Sequence, residues 1–190
     1  MDRIILASAS PRRKQLLEWA EIPFDVMPAD TDESIPANAG TEEIPIIIAR
    51  RKAAAIQRKN NHNRVILAAD TLVVVGGEIL GKPADRAEAI RMLNLLSHRE
   101  HRVITGVCLH HGHQEIAFAE TTSVWFHPLG AEEIIYYVDQ FRPYDKAGAY
   151  AIQEWIGVRG IKAIQGDFYN VMGLPVSRVA QALHRIFNND

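Results

Sequence analysis

The sequence predicts an α/β fold with a mixed β-sheet and flanking helices, on three observations. Apolar strand patterns and amphipathic helix patterns alternate along the 190 residues. Gly76-Gly77 and residues 110–114 each join two strand patterns by a short turn, so some neighbouring strands must be antiparallel. Hydrophobic residues make up 47% of the chain and charged residues 23%, which is typical of a globular protein and excludes a disordered or fibrous one.

The individual elements follow from local patterns. Strands are predicted at 3–7, 24–27, 65–75, 78–80, 102–109 and 115–126, and helices at 11–20, 41–59, 85–97, 131–140 and 175–186. Residues 28–40 form a polar loop in this interpretation. No repeat, low-complexity tract or linker is visible, so we expect residues 1–190 to form a single domain.

Helix starts are marked by capping residues. Ser10 is a suitable N-cap, and Pro11 suits the first helical position, where a missing N–H costs nothing. Thr41 is expected to cap the second helix. Asp85, followed by Glu88 three residues later, predicts a variant of the capping box before the third helix.

Composition narrows the classes of function. The formal net charge is −2, which gives no general attraction to nucleic acid or to anionic lipid. The single cysteine excludes an internal disulfide and a thiolate zinc cluster. No signal peptide or apolar stretch of roughly 20 residues is visible, so we expect a cytoplasmic protein without nucleic-acid or membrane partners.

Asp70 and Lys52 are the two charged residues that stand out in apolar surroundings. Asp70 carries the only charge in residues 65–75, and a buried carboxylate is costly unless a cation, metal or hydrogen-bond donor compensates it. Its alternative role is a structural ion pair or a turn contact. Lys52 lies between Ile48 and Ile56 at helical spacing, and its alternative is snorkelling, with the ammonium in water.

Two further segments could bind charged ligands. The strand-to-helix junction that holds Ser8, Arg12 and Arg13 combines free N–H groups, a helix dipole and guanidinium groups, the components of an anion site. The alternative is a surface helix with solvated arginines. Asp32 and Glu33 could ligate a hard divalent cation through oxygen, or could simply be solvated loop acids.

Three other patterns do not support a site. Residues 76–82 match the phosphate-loop pattern GxxxxGK, but Pro83 stands where Ser or Thr is required. Lys82 could still contact phosphate as a point charge. The histidines at 110, 111 and 113 suit a polar turn better than a metal site, and Cys108 in an apolar strand is most simply a core residue.

Several motifs in order together resemble one protein family. They are LASASPRR at 6–13, DE at 32–33, ARRKA at 49–53, ADT at 69–71, GKP at 81–83, DKAGAYAIQ at 145–153 and GDFYNVMGLP at 166–175. This combination resembles the Maf family of nucleoside triphosphate pyrophosphatases over essentially the whole chain.

The resemblance implies a reaction and a fold. It implies cleavage between the α and β phosphates of a nucleoside triphosphate, a divalent cation (Mg²⁺ or Mn²⁺) and water attack at the α phosphorus. It also implies a fold related to inosine triphosphate pyrophosphatases, two lobes around a central cleft, and a homodimer with a house-cleaning role. Arg12, Thr71 and Gln153 match the group that acts on dTTP and UTP.

Roles for individual residues follow from the same resemblance. Asp70 is expected to accept a proton from water, directly or while bound to the metal, and Glu33 to help hold the metal. Phosphate contacts are expected from Ser8, Arg12, Arg13, Lys52, Lys82 and Lys146. Thr71 and Gln153 are expected to recognise the base, since an amide can both donate and accept hydrogen bonds.

One departure keeps alternatives open. Glu154 follows the glutamine where that group usually has glycine, and its side chain could reshape the base pocket. The alternatives are a pyrophosphatase for 7-methyl-GTP or another modified nucleotide, and a non-catalytic nucleotide-binding regulator of septum formation.

Overall fold

The computed structural model describes residues 2–32, 34–35, 39–59 and 64–188. The strands are β1 Ile4–Leu6, β2 Phe24–Val26, β3 Ile66–Val75, β4 Glu78–Leu80, β5 Glu100–His111, β6 Gln114–Phe126 and β7 Ile161–Gln165. The helices are α1 Pro11–Trp19, α2 Glu43–Lys59, α3 Arg86–Leu96, α4 Ala131–Phe141, α5 Trp155–Gly160, α6 Phe168–Met172 and α7 Val176–Asn188, with a 3-10 turn at Ala147–Ala149. Within these described ranges, no helix combines the length and the apolar character needed to cross a membrane.

The strands form one mixed sheet in the order β2-β1-β3-β5-β6-β7, with β4 paired to β3. β1 runs parallel to both β2 and β3. β4 is antiparallel to β3, and β7 is antiparallel to β6. The predicted α/β class with a mixed sheet is therefore confirmed.

The chain divides into two compact units. The first comprises Met1–Asp70, Thr105–Glu120 and Gly173–Asp190, and the second comprises Thr71–Ile104 and Thr121–Met172. Each has its own apolar core, and each is described by itself below. The expected arrangement of two lobes around a cleft stays a prediction.

In the first unit, helix α2 packs its small residues against the sheet. Ala49, Ala53 and Ile56 of α2 form one buried cluster with Ile5 of β1, Ile66 and Ala68 of β3 and Cys108 of β5. Alanine on the inner face lets the helix lie close to the strands, so the position of α2 is tightly fixed. Because α2 carries Lys52, this packing also fixes where that side chain begins.

The core of the second unit is built from α3, α4 and an aromatic group. Met92 and Leu93 of α3 and Val138 of α4 are almost fully buried, and the two helices are in contact. Beside them, the rings of His101, Phe126 and Tyr150 lie 5.2–5.4 Å apart from centroid to centroid.

The predicted caps Ser10 and Asp85 are confirmed by the structure. The Ser10 side chain accepts from the Arg13 N–H, and that of Asp85 accepts from the Glu88 N–H. Glu88 accepts from the Ala84 N–H rather than from the N–H of the cap residue Asp85, so the reciprocal bond of a capping box falls one residue earlier than the box predicts. Helix α2, predicted to start near Thr41, begins two residues later at Glu43, whose N–H donates to the Gly40 carbonyl, and the predicted Thr41 cap stays a prediction.

The long hairpin is tighter than expected, and three short elements were missed. β5 extends to His111 and β6 begins at Gln114, so the turn is two residues rather than the predicted span of 110–114. Gly112 has a φ of 57°, which glycine adopts at no steric cost.

The elements that were not predicted are β7, α5 and α6, which have five or six residues each and lie in a region that contains several glycines.

Candidate active site

The chemical centre of the first unit is an ion pair between Asp70 and Lys52. The Lys52 Nζ lies 2.7 Å from Asp70 Oδ1, and the two side chains are only 8% and 14% exposed. Snorkelling is therefore excluded for Lys52. A carboxylate and an ammonium held together with little water interact far more strongly than a surface pair.

Both partners are fixed by the elements that carry them. Lys52 lies on α2 between Ile48 and Ile56, which are 2% and 0% exposed, so its aliphatic stem is packed on both sides. Asp70 belongs to β3, whose ten residues are buried except for Asp70 and Thr71. The strand therefore opens to solvent only where the predicted reactive carboxylate lies.

The β1–α1 junction is built around a buried arginine. Arg13 is 8% exposed, its Nε donates to the Gly173 carbonyl at 2.8 Å, and its Nη1 donates to the Ser8 hydroxyl at 3.1 Å. Ser8 Oγ also accepts from the Ser10 N–H at 3.2 Å. Arg13 therefore shapes the turn and orients Ser8, a role that the sequence alone did not indicate.

Arg12 has a different environment from its neighbour. It lies in the first turn of α1 and is half-buried, with part of its side chain open to solvent. Positive charge in this turn, together with the N-terminal N–H groups of the helix, favours an anion. Of the two predicted arginines, Arg12 is the one that solvent reaches more easily.

The acidic loop of the first unit is only partly described. Glu33 lies outside the described residues. Asp32 accepts from the Ser34 N–H at 2.8 Å and from its hydroxyl at 2.6 Å, and the hydroxyl hydrogen bond contributes most to lowering the pKa of Asp32. Arg51 donates to the Ser34 carbonyl at 3.0 Å, which ties this loop to α2.

The second unit holds a second buried lysine. Lys146 is 7% exposed, and its Nζ lies 2.8 Å from Asp145 Oδ1 and 3.4 Å from Glu154 Oε1. The other oxygen of Glu154 accepts from the hydroxyl of Tyr137, which is fully buried on α4. Glu154, the residue that departs from the family pattern, thus forms an ion pair with the predicted phosphate ligand Lys146 and accepts a hydrogen bond from Tyr137.

The remaining predicted residues of this unit are accessible. Lys82 and Gln153 are exposed, and Thr71 is partly exposed at the start of the second half of β3. Gly81, beside Lys82, accepts a hydrogen bond from the Gly148 N–H, which fixes the GKP segment against the 3-10 turn. All three side chains could reach a ligand from solvent.

Comparison with protein-family models identifies the family of this chain. The sequence model of the family described as "Maf-like protein" matches residues 3–186. The chain belongs to the Maf family. A protein of Parabacteroides distasonis named dTTP/UTP pyrophosphatase is 48% identical over 95% of this chain and 94% of its own, and one of Porphyromonas gingivalis with the same name is 50% identical over 92% and 89%.

A solved structure was also found. The Staphylococcus aureus Ham1 protein aligns with 97% of this chain and 98% of its own at 17% identity, with a TM-score of 0.49.

For this Maf protein, the structure brings some predicted residues together within a unit. It joins Lys52 to Asp70, and Arg13 to Ser8. Within the described ranges, no group of three or more His, Cys, Asp and Glu side chains could hold a metal ion.

Two motifs that the sequence analysis set aside have structural roles in this Maf protein. Gly76 and Gly77, with φ of 56° and 87°, form the turn between the antiparallel strands β3 and β4, so the GxxxxGK match is a hairpin. Cys108 is fully buried, and burial raises the pKa of its thiol to about 12. Such a thiol stays protonated and is not a nucleophile.

Tyr137 is the residue that the sequence analysis missed. It lies in the apolar pattern of α4 and gives no sign of a polar role, because a tyrosine at a buried helical position usually serves the core. Only the structure shows that its hydroxyl bonds Glu154 and accepts from the Ala151 N–H at 3.3 Å.

Proposed function

We propose that this chain is a nucleoside triphosphate pyrophosphatase that hydrolyses dTTP and UTP to the monophosphate and pyrophosphate. The observation that carries the proposal is the nearly buried Asp70–Lys52 pair, in a chain 48–50% identical to relatives named dTTP/UTP pyrophosphatase. These relatives give no support to a 7-methyl-GTP enzyme or to a non-catalytic regulator.

Binding of the triphosphate is the first task of the chain's own residues. A triphosphate carries about four negative charges, so its affinity depends on cations and N–H donors. The Ser8 turn and Arg12 offer both at the start of α1. Lys82 and Lys146 are the further phosphate ligands in this proposal, and Arg13 acts by shaping the turn.

Proton transfer is the task of Asp70. Water attacks the α phosphorus in line, its oxygen bonds to phosphorus, the bond from phosphorus to the bridging oxygen breaks, and pyrophosphate leaves. Asp70 accepts the proton that the water loses. The Lys52 ammonium, 2.7 Å away, holds the carboxylate in place and compensates its negative charge before the proton is transferred.

A divalent cation fits the donor set of the first unit. Mg²⁺ is commonly held by one or two carboxylates together with substrate phosphates, so Asp70, whose side chain is 14% exposed, can serve as a protein ligand when phosphate completes the shell. Asp70 and Glu33 would hold it, with Mn²⁺ as the alternative ion. Such a cation neutralises phosphate charge and lowers the pKa of bound water.

Base selection is assigned to Thr71 and Gln153. Both side chains are at least partly exposed and can exchange hydrogen bonds with a pyrimidine edge. A cytoplasmic house-cleaning role and a homodimer complete the proposal, and they rest on the resemblance to the family.

The test is product analysis with the Asp70→Asn variant. Unchanged protein with Mg²⁺ or Mn²⁺ is expected to release monophosphate and pyrophosphate from dTTP and UTP, in preference to CTP, GTP and 7-methyl-GTP. The variant is expected to lose at least 100-fold in kcat, in line with the usual contribution of a general base of about 10²- to 10⁴-fold. The asparagine oxygen can still accept from Lys52, but the ammonium loses its counter-charge, so a urea unfolding curve checks that the less stable variant is folded in the assay.

The matched control is Asp139→Asn, the same chemical change on α4. Asp139 is an exposed partner of Arg86 at 2.6 Å, so this variant is expected to keep full activity. Retention of activity by Asp70→Asn would refute the proton-acceptor role. Absence of turnover of every triphosphate by the unchanged protein would refute the proposed reaction.

A further inference from the structure

The two carboxylate oxygens of Glu154 have different partners, Tyr137 and Lys146. Oε2 accepts from the Tyr137 hydroxyl, while Oε1 lies 3.4 Å from Lys146 Nζ. An amide has only one oxygen, and its NH₂ group would face either a hydroxyl donor or an ammonium. A carboxylate is therefore the group that satisfies both neighbours at once.

The network is anchored in the core rather than at the surface. Tyr137 is fully buried on α4, its ring stacks on Phe141 with centroids 5.0 Å apart, and its hydroxyl also accepts from the Ala151 N–H. Glu154 is fixed a second way, because its carbonyl accepts from the N–H groups of Gly157 and Val158 at the start of α5. The carboxylate is thus held from its side chain and from its backbone.

Lys146 is ordered by this arrangement. Its side chain is 9% exposed and faces two carboxylates, of which Asp145 is 55% exposed and Glu154 is 25% exposed. A lysine side chain loses more rotamer freedom on immobilisation than most residues do. A neighbour that restricts the ammonium before the ligand arrives therefore reduces the entropy lost on binding.

We propose that Glu154, held by Tyr137, is a positioning residue that places the Lys146 ammonium for the phosphate chain of the substrate. The proposal rests on the proposed function, because it takes the triphosphate as the ligand of Lys146. Glu154 touches no reacting atom and acts through Lys146. Tyr137 links Glu154 to the core of the second unit.

The experiment compares Tyr137→Phe, Glu154→Gln and Lys146→Met in the full chain with Mg²⁺. Binding is measured by calorimetry with α,β-methylene-dTTP, whose α–β bridge cannot be hydrolysed, and KM and kcat are measured with dTTP. Tyr137→Phe and Glu154→Gln are each expected to weaken analogue binding about three- to tenfold and to raise KM equally, because preordering of one lysine is lost. Their kcat is expected to stay within about twofold.

The double variant Glu154→Gln/Lys146→Met separates positioning from a general loss of stability. If Glu154 acts through Lys146, the double variant binds no more weakly than Lys146→Met alone, since the two changes remove one interaction. Glu133→Gln is the control. Glu133 accepts from the Gly130 N–H and lies 2.9 Å from Arg159, so its loss is expected to lower the unfolding midpoint without weakening binding.

Two results would overturn the inference. Tighter analogue binding by Glu154→Gln would show that Glu154 competes with phosphate for Lys146, and unchanged binding would show that the network is structural only. The proposed reaction fails separately, when the unchanged protein binds the analogue but releases no pyrophosphate from dTTP. Failure of the unchanged protein to bind the analogue would overturn both.

Discussion

At the residue scale, the Asp70–Lys52 pair contributes to the stability of the fold and also contains the carboxylate proposed to act in hydrolysis. Lys52→Met keeps the packed stem but leaves Asp70 without its cation in a nearly buried position. Breaking one side of a buried pair costs on the order of 3 kcal/mol, because the remaining charge is uncompensated. We expect Lys52→Met to lower the free energy of unfolding in urea at neutral pH by about that amount.

The double variant Lys52→Met/Asp70→Asn provides the check on this prediction. Removal of both charges leaves no isolated ion, so most of the lost stability is expected to return while activity stays absent. If the double variant were as unstable as the sum of the single changes, the pair would contribute nothing as a pair.

Single functional residues were predictable where a charged residue lies in an otherwise apolar segment. Asp70 in an apolar strand and Lys52 in an apolar helix stripe were recognisable from the sequence, because burial of a charge demands a partner. That they are partners of each other was not, since they are 18 positions apart on different elements. Arg13 was predicted as a phosphate contact, but its bond to the Gly173 carbonyl was not, and Tyr137 gave no signal, because both contacts join groups that are far apart in the sequence.

At the scale of elements, the start of α2, the helix that carries Lys52, lies very close to strand β5. A Cβ on Gly106 of β5 would lie 2.2 Å from the Pro45 carbonyl carbon and 2.3 Å from the Ile46 nitrogen. These are backbone atoms, so the helix itself must move. We expect Gly106→Ala to lower the free energy of unfolding by about 1–3 kcal/mol, the usual range for overpacking.

The same variant tests whether α2 positions Lys52. A shifted helix moves the ammonium away from Asp70, so dTTP turnover is expected to fall together with the urea midpoint. Gly40→Ala is the control, because its Cβ would meet nothing closer than a Glu43 side-chain atom at 3.8 Å. Full activity and stability of Gly106→Ala would contradict the close approach.

Long elements and elements preceded by a capping residue were the ones that the sequence predicted. β3, α3 and α4 followed from long apolar patterns, with Asp85 marking the start of α3. The stretch from Trp155 to Met172 was not predicted as helix–strand–helix, because five- or six-residue elements contain too few periods to show a pattern. β7 is defined by its pairing with β6, which is a contact distant in sequence.

At the scale of the whole molecule, the order of motifs identified the family while the tertiary pairings stayed hidden. The motifs run from residue 6 to residue 175, and the family model matches 3–186, so the recognised pattern spans both units. Composition and periodicity gave the α/β class, because they depend on neighbours in the chain. They could not give the strand order, in which β5 rather than β4 follows β3.

The stability of the whole chain is expected to depend on acid through His101. This imidazole is 1% exposed, its Nε2 hydrogen-bonds the Tyr150 hydroxyl at 2.7 Å, and its Nδ1 has no hydrogen-bond partner among the described residues. Burial lowers the pKa of His101 from 6.5 to about 3. His101 therefore binds a proton below about pH 6.5 in the unfolded chain but only below about pH 3 in the folded chain.

Acid destabilises the folded chain through His101. The contribution of His101 to stability is complete above pH 6.5 and is lost as the pH falls toward 3, at about 1.4 kcal/mol per pH unit. Urea unfolding of the unchanged protein and of His101→Gln between pH 7.5 and about 4.5 measures it, with exposed His184→Gln as the control. The difference in unfolding free energy between unchanged protein and His101→Gln is expected to shrink steadily below pH 6.5, because only the unchanged protein has a buried imidazole whose unfolded form gains a proton. A difference independent of pH would mean that His101 is protonated equally in both states.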